Sequence, residues 1–320
     1  MFRFTSARPV NIIQLVGLGK CISQRRLPER QREPLLRDMD NLRNAVPVRE
    51  GRQRELLCDA HVHTRYSDGR LSARKIFKLA QRSGVGTVVL TDHRASRDLL
   101  GDIILAAGYG VDCTFGGIEL SLFRKRTNLH FKLYFNPFDT DFLDEINMVL
   151  NRDCKTGADF DIPETLDKFM RLGCWSVLAH PTGSEHRGMK RQLISESITD
   201  LCQKKLLCGI EICDKYCDTD SQRYYSELAA RFGLIEDGGS DFHNRREHIL
   251  GRQKDGLPAA PYSTFEIVRR FLSAPLIEAA QRKLQEGDVW GSLSLFRQAS
   301  VINPYDLSLY DLILDILFRD

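Results

Sequence analysis

No apolar run in the 320-residue chain approaches the ~20 residues a membrane-spanning helix needs. Nothing near the N-terminus reads as a secretory signal. The nine cysteines form neither a Cys-x-x-Cys pair nor a zinc-ribbon spacing. Cys208, Cys213 and Cys217 come nearest to a cluster, but their spacing fits no common thiolate site, so they read as buried or free thiols. A chain this long needs no disulfide staples, and a reducing, cytoplasmic compartment is expected. Charge of one sign is missing as well. The 46 basic and 43 acidic residues leave a net +3, too weak to imply nucleic acid as a partner.

One local absence stands out. No acidic residue occurs up to Arg26, while Arg3, Arg8, Lys20, Arg25 and Arg26 are basic and Ile12, Ile13, Leu15 and Val16 form an apolar patch. That profile fits a mitochondrial transit peptide, a disordered basic arm or a mis-assigned start. From Leu27 to about Arg54 charges of both signs alternate, as in an exposed helix followed by a linker. Residues 1–55 therefore read as an extension without chemistry, residues 56–273 as the main domain and residues 274–320 as a helical hairpin.

From Glu55 the pattern becomes regular. Leu56 to His61 reads as a buried strand. Ser72 reads as an N-cap, Ala73 to Ser83 as an amphipathic helix, and Gly84 as its stop. Thr87 to Leu90 is a continuous β-branched run ending at Thr91-Asp92-His93. Further runs end at Glu119 (from about Cys113), at His180-Pro181 (from Trp175) and at Glu211 (from Leu206). Leu129 to Phe135 carries His130 near its start, and Leu234 to Glu236 leads into Gly238 to His243. Helical spacing fills Pro163 to Leu172 and Ser221 to Phe232. About seven strands alternating with helices predict a parallel α/β fold. Strand carboxyl ends then share one rim, where active sites are built. His61, His63, His93, His130, His180 and His243, six of the eight histidines, fall at such positions.

His61 and His63 lie two apart on one strand face, so both can grip one cation. Asp68, at the Ser-Asp-Gly turn that follows, can reach a second. Six imidazoles with Asp68, Glu119 and Asp241 offer nine ligands, enough for two or three divalent ions per chain. Mixed imidazole and carboxylate ligation suits zinc, manganese or iron. Closely spaced cations clamp the oxygens of a phosphoryl displacement. Amide or ring hydrolysis is a weaker possibility on the same chemistry.

The motifs Asp59-Ala60-His61-Val62-His63-Thr64 with Ser67-Asp68-Gly69, Thr91-Asp92-His93, Gly117-Ile118-Glu119, His130, Ala179-His180-Pro181, Gly209-Ile210-Glu211-Ile212 and Gly238-Gly239-Ser240-Asp241-Phe242-His243 occur in that order over residues 56–255. In them the chain resembles the PHP (polymerase and histidinol phosphatase) superfamily, above all its stand-alone branch acting on nucleotides or short oligonucleotides. The resemblance implies a distorted (β/α)7 barrel with a trinuclear metal site. It implies that His61, His63, Glu119 and Asp241 hold one metal. Glu119 would bridge to a second held by His130 and His180, and Asp68, His93 and His243 would hold the third. Glu119, Asp241 and His243 would form the catalytic set, with a metal-bound hydroxide attacking phosphorus. The implied activity is hydrolysis of a phosphomonoester or of the terminal phosphodiester of a nucleotide or short oligonucleotide. A small-metabolite phosphatase of the histidinol-phosphate type and a non-catalytic metal-stabilised scaffold are the alternatives.

Glu211 is open between orienting a ligand and pairing elsewhere as a buried carboxylate. Asp92 reads as structural, and His186 and His248 as surface residues. Phosphate grips are sought among Arg94, Arg124, Lys125, Arg126, Arg187, Lys190, Arg245 and Arg252, since guanidinium forks suit phosphate. The segment from Asn136 to Asp167 is short for a cover, which leaves the pocket open. Thr264 to Ser273 reads as the last barrel helix. Beyond it the spacing from Ala279 to Asn303 resembles one tetratricopeptide hairpin, and Asp306 to Phe318 forms a further helix. These C-terminal helices pack on the barrel or on a protein partner.

Overall fold

The alternation read from the sequence becomes strand β1 (Leu57–Val62), helix α1 (Ala73–Ser83), β2 (Val85–Leu90), α2 (Leu99–Gly108), β3 (Gly116–Arg124), β4 (Thr127–Phe135), α3 (Ile162–Arg171), β5 (Trp175–Ala179), a short α4 (Pro181–His186), α5 (Arg191–Gln203), β6 (Gly209–Cys213), α6 (Thr219–Phe232) and β7 (Ile235–Gly238). Three helices follow: α7 (Tyr262–Gln285), α8 (Val289–Ile302) and α9 (Leu307–Phe318). The computed structural model describes residues 57–93, 98–124, 127–139, 141–148, 161–186, 188–213, 217–244, 249–252 and 258–318. The expected N-terminal extension, residues 1–55, lies outside them.

Local chemistry sets the helix ends. Gly84 and Gly233 stop α1 and α6 in the left-handed region, at φ 73° and 65°. Asp161 and Asp218 cap α3 and α6 by accepting from the N–H of Glu164 at 3.0 Å and of Ser221 at 2.7 Å. Each such cap contributes about 1 kcal/mol. Ser72 precedes α1 as expected, but its side chain makes no capping bond.

Among the described residues the strands do not close into the expected distorted (β/α)7 barrel, and they are not all parallel. Among the described residues they make a parallel β1–β2 pair and a five-stranded sheet in the order β3-β4-β5-β6-β7. β4 runs antiparallel to both neighbours. Only two residues separate β3 from β4, too few for a parallel crossover, so the two pair as a hairpin. The two sheets meet at Val62 and Phe242, where His63 N–H donates to Phe242 O at 2.9 Å and Phe242 N–H to His61 O at 3.2 Å. On the other side Glu119 N–H reaches Asp92 O at 3.3 Å. β3 also does not end at Glu119. It continues to Arg124, placing Glu119 opposite Lys132 and Ser121 opposite His130.

The reversal of β4 has a direct consequence. Its first residues lie on the rim where the parallel strands end, so a histidine near its start joins histidines from strand carboxyl ends. Alternation divides its faces: Phe131, Leu133 and Phe135 enter the main apolar core beneath the helices, while His130, Lys132 and Tyr134 occupy the other face.

The expected boundary near residue 273 falls inside α7, a continuous 24-residue helix that contains Pro275. Ile302 of α8 packs with Cys58, Val89, Phe115 and Phe265, and Val301 joins the main core. The C-terminal helices thus pack on the body of the domain.

Candidate metal centre

His61 and His63 leave β1 on the same side and are fully buried. Their Nε2 atoms lie 3.1 Å apart, and 3.1 and 3.0 Å from Oε2 of Glu119. Asp241 Oδ1 stands 3.6 and 3.4 Å from the same two nitrogens. The other oxygen of Glu119 meets His130 Nδ1 at 2.6 Å and His180 Nε2 at 2.9 Å. Asp68 faces His63 Nδ1 at 3.3 Å, His93 Nε2 at 3.6 Å and His243 Nε2 at 3.1 Å. All nine expected ligands are therefore brought together.

They fall into three overlapping groups of donor atoms within 4.8 Å of one another: His61, His63, Glu119 and Asp241; Glu119, His130 and His180; His63, Asp68 and His93. The first two coincide with sets implied by the resemblance. The third differs, since His63 takes the place expected for His243. His243 remains adjacent through Asp68 and through a contact of its Nδ1 with Asp241 O at 2.8 Å. Glu119 offers one oxygen to each of the first two groups, as a carboxylate bridging two cations must.

The donor chemistry fits divalent cations. Burial by itself would push His61 towards neutrality, but the carboxylates of Glu211 and Glu119 outweigh it and raise its pKa to about 10. His63 is raised well above its ordinary value against burial by Asp241, Asp68 and Glu119. Burial opposes ionisation of Glu119, yet His61, His130 and His180 hold its carboxyl well below the usual range. Asp68 is lowered by His243, His63 and His93. Packed imidazoles and carboxylates of this kind need shared positive charge, and a metal ion supplies it by displacing protons. Two of the expected ligands sit in left-handed backbone, His180 at φ 26° and Asp241 at φ 48°. Such strain costs about 1–3 kcal/mol and persists where surrounding bonds fix the residue. For His180 that bond runs from its N–H to Glu211 Oε2 at 2.7 Å.

Both readings left open for Glu211 hold together. Its two oxygens face His61 Nδ1 at 3.3 and 3.2 Å, which leaves His61 Nε2 free to ligate. Its Oε1 also accepts from Lys132 Nζ at 3.2 Å. Lys132, fully buried, contacts Asp237 Oδ2 at 3.0 Å, and Tyr134 donates to the same oxygen at 2.6 Å. Sequence reasoning missed this layer, although a lysine at the inward register of His130 in an otherwise apolar strand was its signal. Asp92 is structural as expected. It accepts from Thr64 N–H at 2.7 Å, Thr64 Oγ1 at 2.7 Å and Ser67 Oγ at 2.6 Å, which fixes the turn carrying Asp68. Asp59 does the same for the opposite loop, accepting from Ser240 and Gly251.

Of the expected phosphate grips, Arg94, Lys125, Arg126, Arg187 and Arg245 lie outside the described residues, as do His248 and the side chains of Arg124 and His186. Lys190 precedes α5, and Arg252 is exposed beside Gly251. Six cysteines, among them Cys208 and Cys217, are free thiols.

No family model matches the sequence. No curated protein matches it. Among solved structures the chain resembles a candidate metal-dependent phosphoesterase from Bifidobacterium adolescentis, at 16% identity and a TM-score of 0.54 over 68% of this chain and 96% of that one. An amidohydrolase from Chromobacterium violaceum, with bound sulfate and no metal, aligns at 18% identity and 0.49 over 64% and 90%. A two-domain protein from Bacteroides vulgatus containing a predicted PHP-like metal-dependent phosphoesterase aligns at 19% and 0.43 over 59% and 52%. At such identities it is a fold that the chain shares with the Bifidobacterium structure, and its chemistry rests on its own side chains.

Proposed function

We propose that this protein is a metal-dependent phosphoesterase that hydrolyses a phosphomonoester or the terminal phosphodiester of a nucleotide or short oligonucleotide. The observation that carries the reading is Glu119, whose two buried carboxylate oxygens each meet a separate set of imidazoles. Divalent manganese, zinc or iron, when bound, would supply the concentrated Lewis-acid charge that phosphate ester hydrolysis demands. Two or three ions would be held by His61, His63, Asp68, His93, Glu119, His130, His180, Asp241 and His243. Glu211 keeps His61 oriented, Asp92 holds the Asp68 turn, and Asp59 anchors the Asp241 loop. His93, Asp68 and His243 are the more exposed donors and form the mouth of the site. The name of the Bifidobacterium protein agrees with this reading.

The test is phosphate release from a panel of phosphomonoesters, nucleotides and short oligonucleotides. Metal-free protein is reloaded with manganese, zinc or iron beside an Asp241→Asn/His243→Ala protein. Metal-dependent release that disappears in the double variant is the expected result. Bound metal with no release on any substrate, identical in both proteins, would leave the scaffold reading in its place.

A further inference from the structure

The net charge of +3 averages away a local feature of the segment around and after the Asp68 turn. From Gly69 to Thr91 there is no acidic residue. Within and beside that stretch Arg65, Arg70, Arg74, Lys75, Lys78 and Arg82 are all exposed. The last four belong to α1. At 100° per residue Arg74, Lys78 and Arg82 form one stripe with Lys75 beside it, opposite the buried Ala73, Ile76, Phe77 and Ala80. None of the six forms an ion pair among the described residues. Elsewhere some helix cations are paired within a turn, Arg171 with Asp167 at 2.8 Å and Lys204 with Asp200 at 2.8 Å.

The stripe costs the helix stability when nothing covers it. Arg74 and Lys75 sit in a first turn that has no acidic residue, where they oppose the helix dipole. Arg74 with Lys78, and Lys78 with Arg82, are repelling i,i+4 pairs. The chain just before the stripe is tied to the site. The Arg70 N–H donates to His243 O at 2.9 Å, and Arg65 and Tyr66 belong to the turn that carries Asp68. Tyr66 is 49% exposed.

We propose that Tyr66 and this cationic stripe form a docking track for a single-stranded nucleic acid whose end enters the metal centre. A polyanion answers the unpaired cations, and single-strand sites join a basic surface to an aromatic platform on which a base stacks. The stripe from Arg74 to Arg82 spans about 12 Å. An anionic membrane is disfavoured, because the apolar residues of α1 face inward and leave little to insert. The track depends on the phosphoesterase reading only for what happens to the strand's end.

The test is binding of the metal-loaded full chain to a fluorescent, phosphorothioate-linked thymidine strand about a dozen nucleotides long, between about 50 and 200 mM salt. Six phosphate contacts at a slope of about 0.7 each predict a roughly 300-fold loss of affinity over that range. Arg74→Gln/Lys78→Gln/Arg82→Gln should reduce the loss to roughly 20-fold. Arg74→Lys/Arg82→Lys should behave as the unaltered protein, which separates charge from folding. Arg171→Gln/Lys204→Gln/Arg223→Gln, which removes equal charge from other helices, should keep the steep dependence. Equal slopes for the two glutamine triples would overturn the track. So would equal binding of a duplex of the same length, or phosphatidylserine vesicles that respond to the α1 triple while the strand does not. A protein that shows the slope change but releases no phosphate would refute the phosphoesterase reading and leave the track standing.

Discussion

Lys132 shows how one side chain supports a site it does not enter. Its ammonium is buried between Glu211 and Asp237, and Glu211 in turn faces His61 and the His180 N–H. Replacing it by methionine leaves two buried carboxylates without their cation. Removing one partner of a buried pair costs about 3–5 kcal/mol. Lys132→Met should therefore lower the urea unfolding free energy by that order, and equilibrium denaturation of metal-free protein measures it. The same pair sets a pH dependence. Burial opposes ionisation of Glu211, but Lys132 and His61 outweigh it and lower its pKa to about 2 from the ordinary 4.5. A depressed carboxyl contributes stability that is complete above about pH 4.5 and is lost as pH falls towards 2. Unfolding of metal-free protein across that window should show this acid limb, and in Lys132→Met the limb should begin at higher pH. A variant with the parental acid limb would show that Lys132 does not hold Glu211 ionised.

At the scale of elements, what the sequence reveals depends on whether a signal is local. α1 and α6 lie within two residues of the expected spans, because their glycine stops and apolar spacing are contained in the segments themselves. The nine clustered donors were legible for the same reason, since each sits in a short motif contained in its own segment. Strand direction was not legible in the same way. β4 carries an ordinary buried-strand pattern, and only its two-residue link to β3 marks the reversal. The run from about Cys113 predicts a strand that ends at Glu119, whereas the hairpin places Glu119 mid-strand opposite Lys132. The sharing of His63 between two donor groups was hidden too, since it depends on how β1 and the turn after it sit against β2. Gly239 illustrates such long-range fit. A Cβ there would lie 2.2 Å from the Cβ of His61, so the close approach of the β7 loop to β1 requires glycine.

Across the whole molecule, the C-terminal helices and the body that carries the donor cluster share cores. Ile302 is fully buried against Cys58 and Phe115, near the strand that carries His61 and His63, while Val301 joins the main core. Arg269 of α7, itself buried, pairs with Asp112 and donates to Thr114 Oγ1 at 3.2 Å. Tyr305, just beyond α8, donates to Asp112 at 2.9 Å and lies 5.0 Å from the Arg269 guanidinium. Deleting residues 286–320 removes Ile302, Val301 and Tyr305 together. Burying one such aliphatic side chain is worth about 1.5–3 kcal/mol. The truncated chain should therefore lose at least about 3 kcal/mol, a large share of the 5–15 kcal/mol typical of a domain. Ile302→Ala should cost about 2–5 kcal/mol in the full-length chain. Urea unfolding followed by tryptophan fluorescence, where Trp175 reports β5 and Trp290 reports α8, should give one coincident transition for the parental chain. A truncated chain unfolding at the parental midpoint would show instead that the helices form an independent unit beside the body of the domain, and so would two separated transitions in the intact protein.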